Sequence, residues 1–380
     1  MTRPILIVAG EKSGENYGAA VVRRYAAEHP DARFFGIGGT AMAEAGVEIL
    51  YPMGDLAVVG LAEVVAHLPR IRRMFAGIRD QVAARMPAAA LLIDSPDFNL
   101  RLAKRLKALG VPVLYYISTT VWAWRRGRLS TIKRTVRKMC LIFPFEERIY
   151  ADAGIPARFV GHPLLERVRT AFGREELFRK YGLDPARRLI AVMPGSRRSE
   201  IRFHMGVLAK AMARIREHVP CQFVLIRARD LDPRAVREAL PAGGPGVTIL
   251  DGDAYEAMAA ADVVLSACGT ANLEAALLGT PFVAFYRISR LTYALGRRFV
   301  RIGDYSIVNI LAGARIVPEL IQKEFTAENV AREALRLLES GAVRAEMTAR
   351  FKEIRRSLGE EPASANVAAE LSALAAPPVS

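Results

Sequence analysis

Two carboxylates stand three residues apart in Leu91-Leu92-Ile93-Asp94-Ser95-Pro96-Asp97-Phe98-Asn99, directly after an apolar run. Acids do general acid or base work when one is held in a cleft beside a reacting hydroxyl. Asp97 precedes a segment in which Phe98, Leu102, Leu106 and Leu109 share one helical face, so its ordinary duty is that of an N-cap. Asp94 has no such routine task. It closes a strand at the carboxyl end, where a carboxylate either activates a hydroxyl or serves a structural hydrogen bond, and position by itself favours neither.

A second constellation lies downstream. Met193-Pro194-Gly195-Ser196-Arg197 follows a strand and leads into a helix, so the amides of this turn, with the Arg197 guanidinium and the Ser196 hydroxyl, can face one anion. In Ser266-Ala267-Cys268-Gly269-Thr270-Ala271-Asn272-Leu273-Glu274, Gly269 lets a backbone approach a ligand and Thr270 can cap a helix whose free amides favour phosphate. Glu274 lies one turn up the same face, placed to accept from a ribose diol. Phosphate below and carboxylate beside is what a nucleoside diphosphate needs. The plainer readings are a polar surface turn and a capped helix with a surface glutamate. Cys268, with no histidine nearby in sequence, reads as a small packed residue rather than a nucleophile.

In the first half, Gly10-Glu11-Lys12-Ser13-Gly14 has neither the G-x-G-x-x-G spacing nor the G-x-x-x-x-G-K-[ST] pattern, so a nicotinamide or P-loop function is unsupported. Glu11, Ser13 and Gly14 then form a tight strand-to-helix turn lining a cleft, and His162 in Gly161-His162-Pro163 lines it from another strand end. His29, His67, His204 and His218 show no ligand spacing and read as surface or packing residues. Cys140, Cys221 and Cys268 are too scattered for a disulfide framework or metal knuckle, so no metal and no cofactor are expected, and a reducing compartment is.

The elements that must position these groups follow from the alternation of short apolar runs with longer helical segments. Ile5 to Gly10, Phe34 to Gly39, Ala90 to Asp94, Val111 to Ser118 and Met139 to Phe145 form one series of strands. Leu189 to Met193, Gln222 to Arg227, Val247 to Leu250, Asp262 to Ala267 and Pro281 to Tyr286 form another. This predicts an α/β protein of two doubly wound Rossmann-like domains facing across a cleft: residues 1–170, residues 171–345, and a C-terminal helical segment and tail over residues 346–380.

Over 380 residues, 54 Lys and Arg against 39 Asp and Glu leave a formal charge of +15, which favours nucleic acid, an anionic membrane surface or phosphorylated substrates. No stretch is apolar for the roughly 20 residues that a bilayer needs, and no signal-peptide core is evident, so a cytoplasmic protein is expected. Two stretches keep two readings each. Leu56 to Phe75, with Arg70, Arg72 and Arg73, is either a membrane-surface segment or a core-packing crossover helix. Trp122 to Lys138 is either a phosphate and base grip or a solvated helix face.

The motifs in order resemble the lipid-A-disaccharide synthase family, glycosyltransferases of the two-Rossmann-domain GT-B type. Matching segments run from Ala9-Gly10-Glu11-Lys12-Ser13-Gly14 through Leu56-Ala57-Val58-Val59-Gly60 and Ile93-Asp94-Ser95-Pro96-Asp97-Phe98-Asn99 to Val121-Trp122-Ala123-Trp124 and Phe143-Pro144-Phe145-Glu146. They continue through Val160-Gly161-His162-Pro163, Pro194-Gly195-Ser196-Arg197, Gly269-Thr270-Ala271-Asn272-Leu273-Glu274 and Asn309-Ile310-Leu311-Ala312-Gly313, so the resemblance covers nearly the whole chain.

The resemblance implies transfer of 2,3-diacylglucosamine from its UDP derivative to the 6-hydroxyl of 2,3-diacylglucosamine 1-phosphate, with inversion. It implies Asp94 as base, Arg197 on the donor phosphate, Glu274 on the ribose, and Asn309 with Gly269, Thr270 and Ala271 completing the donor site. It implies too a peripheral partner in the inner-membrane surface and no nucleic acid, and it leaves a homodimer open. Glu15 stands where the family has Asp, Thr119-Thr120 replaces a Pro-containing turn, and Cys268 replaces a smaller residue; these departures bear on acceptor and acyl-chain details. The alternatives are another UDP-sugar GT-B transferase or epimerase, and a nucleic-acid-binding protein using Trp122 to Lys138.

Overall fold

Parallel strands cannot be joined by hairpins, and the helical segments between the apolar runs supply the crossovers that parallel pairing requires. The computed structural model describes residues 3–55, 61–123, 125–228, 231–240, 246–289, 293 and 303–376. All ten expected strands form, and among the described residues every strand pairing is parallel. The chain divides into two compact units, Met1–Pro163 with Leu358–Ser380, and Leu164–Ser357.

The first unit holds β1 (Ile5–Ala9), β2 (Phe34–Gly38), β3 (Val47–Pro52), β4 (Ala89–Ile93), β5 (Val113–Tyr116), β6 (Lys138–Leu141) and β7 (Ala157–Phe159), in the order β3-β2-β1-β4-β5-β6-β7. The second holds β8 (Arg188–Met193), β9 (Cys221–Ile226), β10 (Val247–Leu250), β11 (Val263–Ala267), β12 (Phe282–Tyr286) and β13 (Glu319–Ile321), in the order β10-β9-β8-β11-β12-β13. Both are doubly wound Rossmann-like sheets. The winding reverses between β1 and β4 in one and between β8 and β11 in the other, and at such reversals the following loops part and leave a crevice. Register fixes what emerges there: Ala9 pairs with Ile93, so Gly10 and Asp94 leave side by side, and Ser266 pairs with Met193, so Pro194 and Ala267 do the same.

Strand alternation separates two apolar layers in the first unit. Leu6, Val8, Ala90, Leu92 and Tyr115 face one, where Met74, Ile78 and Val82 of helix Leu61–Arg85 pack; Ile5, Ile7, Leu91, Ile93 and Leu114 face the other. The later turns of the Leu56 to Phe75 segment and its continuation are thus a crossover helix against the core, while residues 56–60 lie outside the described residues.

Against the expected divisions at 170 and 345, the unit boundary falls after Pro163, and the C-terminal segment is shared. Helix Gly341–Ser357 stays with the second unit, whereas helix Ala363–Ala375 belongs to the first, burying Val367, Ala368 and Leu371 in its second layer. Glu370 on that helix binds Lys138 at 2.6 Å and Arg158 at 3.0 Å, and Asn366 donates to Val160 O at 3.1 Å. Leu371→Ala should therefore lower the stability of the first unit by about 2–5 kcal/mol. Urea unfolding checks this, with limited proteolysis expected to open the first unit before the second.

Candidate active site

Asp94 extends the ladder by one residue, its N–H donating to Tyr116 O at 3.0 Å. The chain then turns left-handed at two consecutive non-glycine residues, Asp94 (φ 47°) and Ser95 (φ 44°), before helix Pro96–Ala108 begins. Each such residue costs of order 1–3 kcal/mol unless its surroundings hold it there. Ser95, not Asp97, occupies the N-cap position, because Pro96 starts the helix two residues earlier than the apolar pattern implies. Asp97 sits in the first turn, 74% exposed, and binds Arg125 at 3.0 Å and Arg128 at 2.9 Å. The two acids differ in surroundings more than in sequence. Burial pushes the Asp94 carboxyl up to about 6, the nearby Glu11 carboxylate adds to this, and the Ser95 N–H and Arg128 work against it.

The remaining first-half residues divide by exposure. Glu11 and Ser13 stand open at the end of β1, where helix Lys12–Glu28 starts; Gly14 is buried, and a Cβ there would lie 3.2 Å from Ile93 Cγ2. Gly14 is thus what lets this helix lie close to the strand that delivers Asp94. Glu15 is fully buried and accepts from Ala41 N at 2.7 Å and Lys12 Nζ at 2.6 Å, so the longer carboxylate at this position holds the turn after β2. His162 is buried beside Phe143, ring centroids 5.2 Å apart, and burial lowers it to about 3, which keeps it neutral.

In the second unit, Arg197 opens helix Arg198–His218 and is 58% exposed. The anion at this turn is an internal one. Glu200 Oε2 accepts from Ser196 N at 2.8 Å and Arg197 N at 3.2 Å, and its Oε1 lies 3.4 Å from Arg197 Nη1, so these two amides are not free for a phosphate. The Arg197-x-x-Glu200 spacing carried that signal. Gly195 (φ +126°) makes room for the carboxylate: a Cβ would meet Glu200 Oε2 at 2.4 Å. His204 braces the turn from behind. Pro194 O can only accept, at 2.6 Å from Nδ1, while Nε2 lies 3.0 Å from Arg287 N and 3.1 Å from Arg287 O, and burial, which lowers the ring's pKa, favours the neutral Nδ1–H form that accepts from Arg287 N.

Beside this turn, Gly269 and Thr270 are exposed at the end of β11, with nothing within 4 Å of the place a Gly269 Cβ would occupy. Gly269 is the N-cap and Thr270 the first residue of helix Thr270–Leu278, so the helix begins one residue before a Thr270 cap would place it. Glu274 lies one turn along with Tyr255 OH donating to it at 3.1 Å, and burial raises its carboxyl. Ala271 is half-buried between them. Burial pushes the Cys268 thiol up, which suits a packed residue and not a nucleophile.

Asn309 is fully buried, and its amide is spent inside the protein: Nδ2 donates to Val317 O and Glu319 Oε1, and Oδ1 accepts from Ile316 N and Val317 N. It organises the loop before β13, together with Glu319, which accepts from Tyr305 N and Ser306 N. A hydrogen bond from Asn309 to a ligand would require one of these to break.

Three buried acids were given no role from the sequence: Glu200, Glu319 and Glu146. Burial pushes Glu146 up to about 7, against hydrogen bonding from Ser118 and the Phe143 backbone, and among the described residues Glu146 Oε2 and Trp122 Nε1 have no hydrogen-bond partner. Trp122 packs edge-on against Phe145 at 5.6 Å, an aromatic contact within the protein, and Trp124 lies outside the described residues. Among the described residues no group of three His, Cys, Asp or Glu is placed to hold a metal, and no helix is long and apolar enough to cross a membrane.

The family described as lipid-A-disaccharide synthetase matches residues 5–372. The chain belongs to this family. A lipid-A-disaccharide synthase of Anaeromyxobacter dehalogenans is 45% identical over 374 residues, covering 98% of this chain and 97% of the relative. That of Geobacter sulfurreducens is 44% identical over 365 residues, covering 96% and 95%. The enzyme is thus a glycosyltransferase of lipid A biosynthesis, which removes the nucleic-acid reading. Among solved structures, a putative UDP-N-acetylglucosamine 2-epimerase from Listeria monocytogenes superposes with a TM-score of 0.65 at 15% identity, covering 98% of this chain and 96% of that one. At that identity the likeness shows the shared two-Rossmann fold alone.

Two outcomes follow from this geometry. Gly195→Ala should cost about 1–3 kcal/mol, read as a lowered Tm, because the methyl group displaces Glu200 and the left-handed backbone is strained. The Asp94 pKa lies above the ordinary carboxylate value, so the folded state holds a proton that the unfolded chain gives up. This contributes stability as pH falls through about 6, and above that the charged form weighs against the fold. Asp94→Asn should therefore raise Tm at pH 8, with the difference shrinking toward pH 4.

Proposed function

We propose that this glycosyltransferase moves 2,3-diacylglucosamine from UDP-2,3-diacylglucosamine to the 6-hydroxyl of 2,3-diacylglucosamine 1-phosphate, releasing UDP, with Asp94 as the general base. The observation that carries the reading is Asp94 itself: a desolvated carboxylate at the winding reversal of the first sheet, with its pKa moved toward neutrality. A base with a pKa near 6 is ionised at neutral pH and still accepts a proton well.

Asp94 takes the acceptor hydroxyl proton as that oxygen bonds to the anomeric carbon, and the bond from that carbon to the UDP oxygen breaks on the opposite face. One displacement inverts the centre. Negative charge then develops on the departing diphosphate, where the exposed Arg197 guanidinium and the Thr270 and Ala271 amides at the start of helix Thr270–Leu278 meet it. Glu274 accepts from the ribose hydroxyls. Because Glu200 already takes the Ser196 and Arg197 amides, phosphate recognition at that turn falls to the Arg197 side chain and the Ser196 hydroxyl. The Glu11 carboxylate crowds the base electrostatically, while Ser13 and His162 are assigned to the acceptor side.

The acceptor phosphate and the anionic leaflet of the inner membrane both suit the charge of +15, so the protein works from the cytoplasm as a peripheral partner of that surface.

The decisive experiment supplies both diacylated sugars and reads disaccharide by mass and UDP by coupled assay. Turnover should fall below about pH 6, tenfold per pH unit, and Asp94→Asn should lose about 10²–10⁴ in kcat while still binding UDP. Equal turnover of an unacylated UDP-sugar would sink the lipid assignment.

A further inference from the structure

The left-handed turn at Asp94 is held by two side chains that lie outside the proposed chemistry. Asn99, in the first turn of helix Pro96–Ala108, donates its amide to Ile93 O at 3.1 Å and to Asp94 O at 2.8 Å. Tyr115, on the neighbouring strand β5, donates its hydroxyl to the same Asp94 oxygen at 2.5 Å. Asp94's carbonyl is thus gripped from two elements at once, the helix that follows it and the strand beside it.

Packing alone does not explain the amide. Asn99 is fully buried, and its Oδ1 has no hydrogen-bond partner among the described residues. An apolar side chain of the same size would fill the space without stranding an acceptor, so the residue carries a cost that its packing does not offset. The orientation is fixed by chemistry, since the opposite one would set Oδ1 against two carbonyl oxygens. Its two N–H groups draw successive carbonyls inward where the backbone adopts positive φ at Asp94 and Ser95.

The second unit repeats the device. Asn272, in the first turn of helix Thr270–Leu278, is fully buried and donates to Ser266 Oγ at 2.9 Å and Ala267 O at 3.2 Å, again with an unpartnered Oδ1. In both sheets the strap sits at the winding reversal, on the strand whose end presents a proposed site group.

We propose that Asn99 and Tyr115 are positioning residues: their joint hold on the Asp94 carbonyl fixes the left-handed turn that aims the Asp94 carboxylate at the acceptor hydroxyl. The inference rests on Asp94 as the base. Proton transfer requires the carboxylate within hydrogen-bond reach of the hydroxyl, and a misplacement of about 1 Å costs on the order of 10²-fold. Loosening the grip frees the turn to relax, which swings the carboxylate away and lets water reach it.

The test compares Tyr115→Phe, Asn99→Leu and Asp94→Asn in the full-length enzyme. Tyr115→Phe removes one hydroxyl and keeps the ring. Both strap variants should lower kcat by about tenfold or more while donor KM and UDP Kd stay within about twofold. The acidic limb of the pH profile should move toward lower pH as Asp94 gains solvent. In the Asp94→Asn background, adding Tyr115→Phe should cost nothing further, because the grip then has no base to aim. Strap variants that keep kcat and the acidic limb, while Asp94→Asn is inactive, overturn the positioning role and leave the base reading intact. Near-full turnover by Asp94→Asn overturns both. If Asn99→Leu fails to fold, Tyr115→Phe decides the question by itself.

Discussion

The constraint on which the rest depends is parallel pairing with a single reversal of winding in each sheet. In a doubly wound sheet all strand ends of one kind lie at one edge, and only at the reversal do successive loops turn away from each other. Here the reversals fall between β1 and β4 and between β8 and β11. Register then sets Gly10 beside Asp94 and Pro194 beside Ala267. Residues more than 70 positions apart in the chain are neighbours for that reason alone. Glu11 comes close enough to Asp94 to raise its pKa, and Arg197 shares an edge with Thr270.

A second theme is the use of buried carboxylates as internal anions. Glu15 accepts from Ala41 N, Glu200 from Ser196 N and Arg197 N, and Glu319 from Tyr305 N and Ser306 N. Each satisfies amides that a turn or helix start would otherwise leave bare, and each does so where a site loop must keep one shape. Asn309 joins the Glu319 cluster and spends its whole amide there. The polar residues of such motifs therefore divide into those that shape a loop and those left open on it. Glu200, Glu319 and Asn309 shape; Arg197, Thr270 and Glu11 are open.

Asp94 joins these themes, because its turn is strained, its carboxylate is desolvated, and its charged form weighs against the fold at the pH at which a base must be ionised. A group selected for stability alone would not sit there. His204 shows no such tension, because burial lowers its pKa and favours the neutral ring, which ties the turn after β8 to the chain after β12.

Composition and periodicity determined a good deal unaided. Continuous apolar runs are the mark of strands buried on both faces, so ten strands were legible, the edge strand β10 among them, whereas β3, β7 and β13, at the other sheet edges, were not, because charged or half-exposed residues interrupt their apolar runs. The places of Asp94, Arg197 and Thr270 just past strand ends, with Glu274 one turn along the helix that follows, were legible, and the order of motifs pointed to the family. Only the tertiary structure decided which helix start takes which cap, since the start at Pro96 came two residues early and the start after Gly269 one residue early. It also decided that helix Ala363–Ala375 returns to the first core, that Glu200 claims the amides of the Ser196 turn, and that Asn309 is enclosed. The reason is common to all of these. A local pattern reports what a segment can bury and where it can turn, but hydrogen-bond partners and desolvation belong to neighbours that the chain brings in from far away.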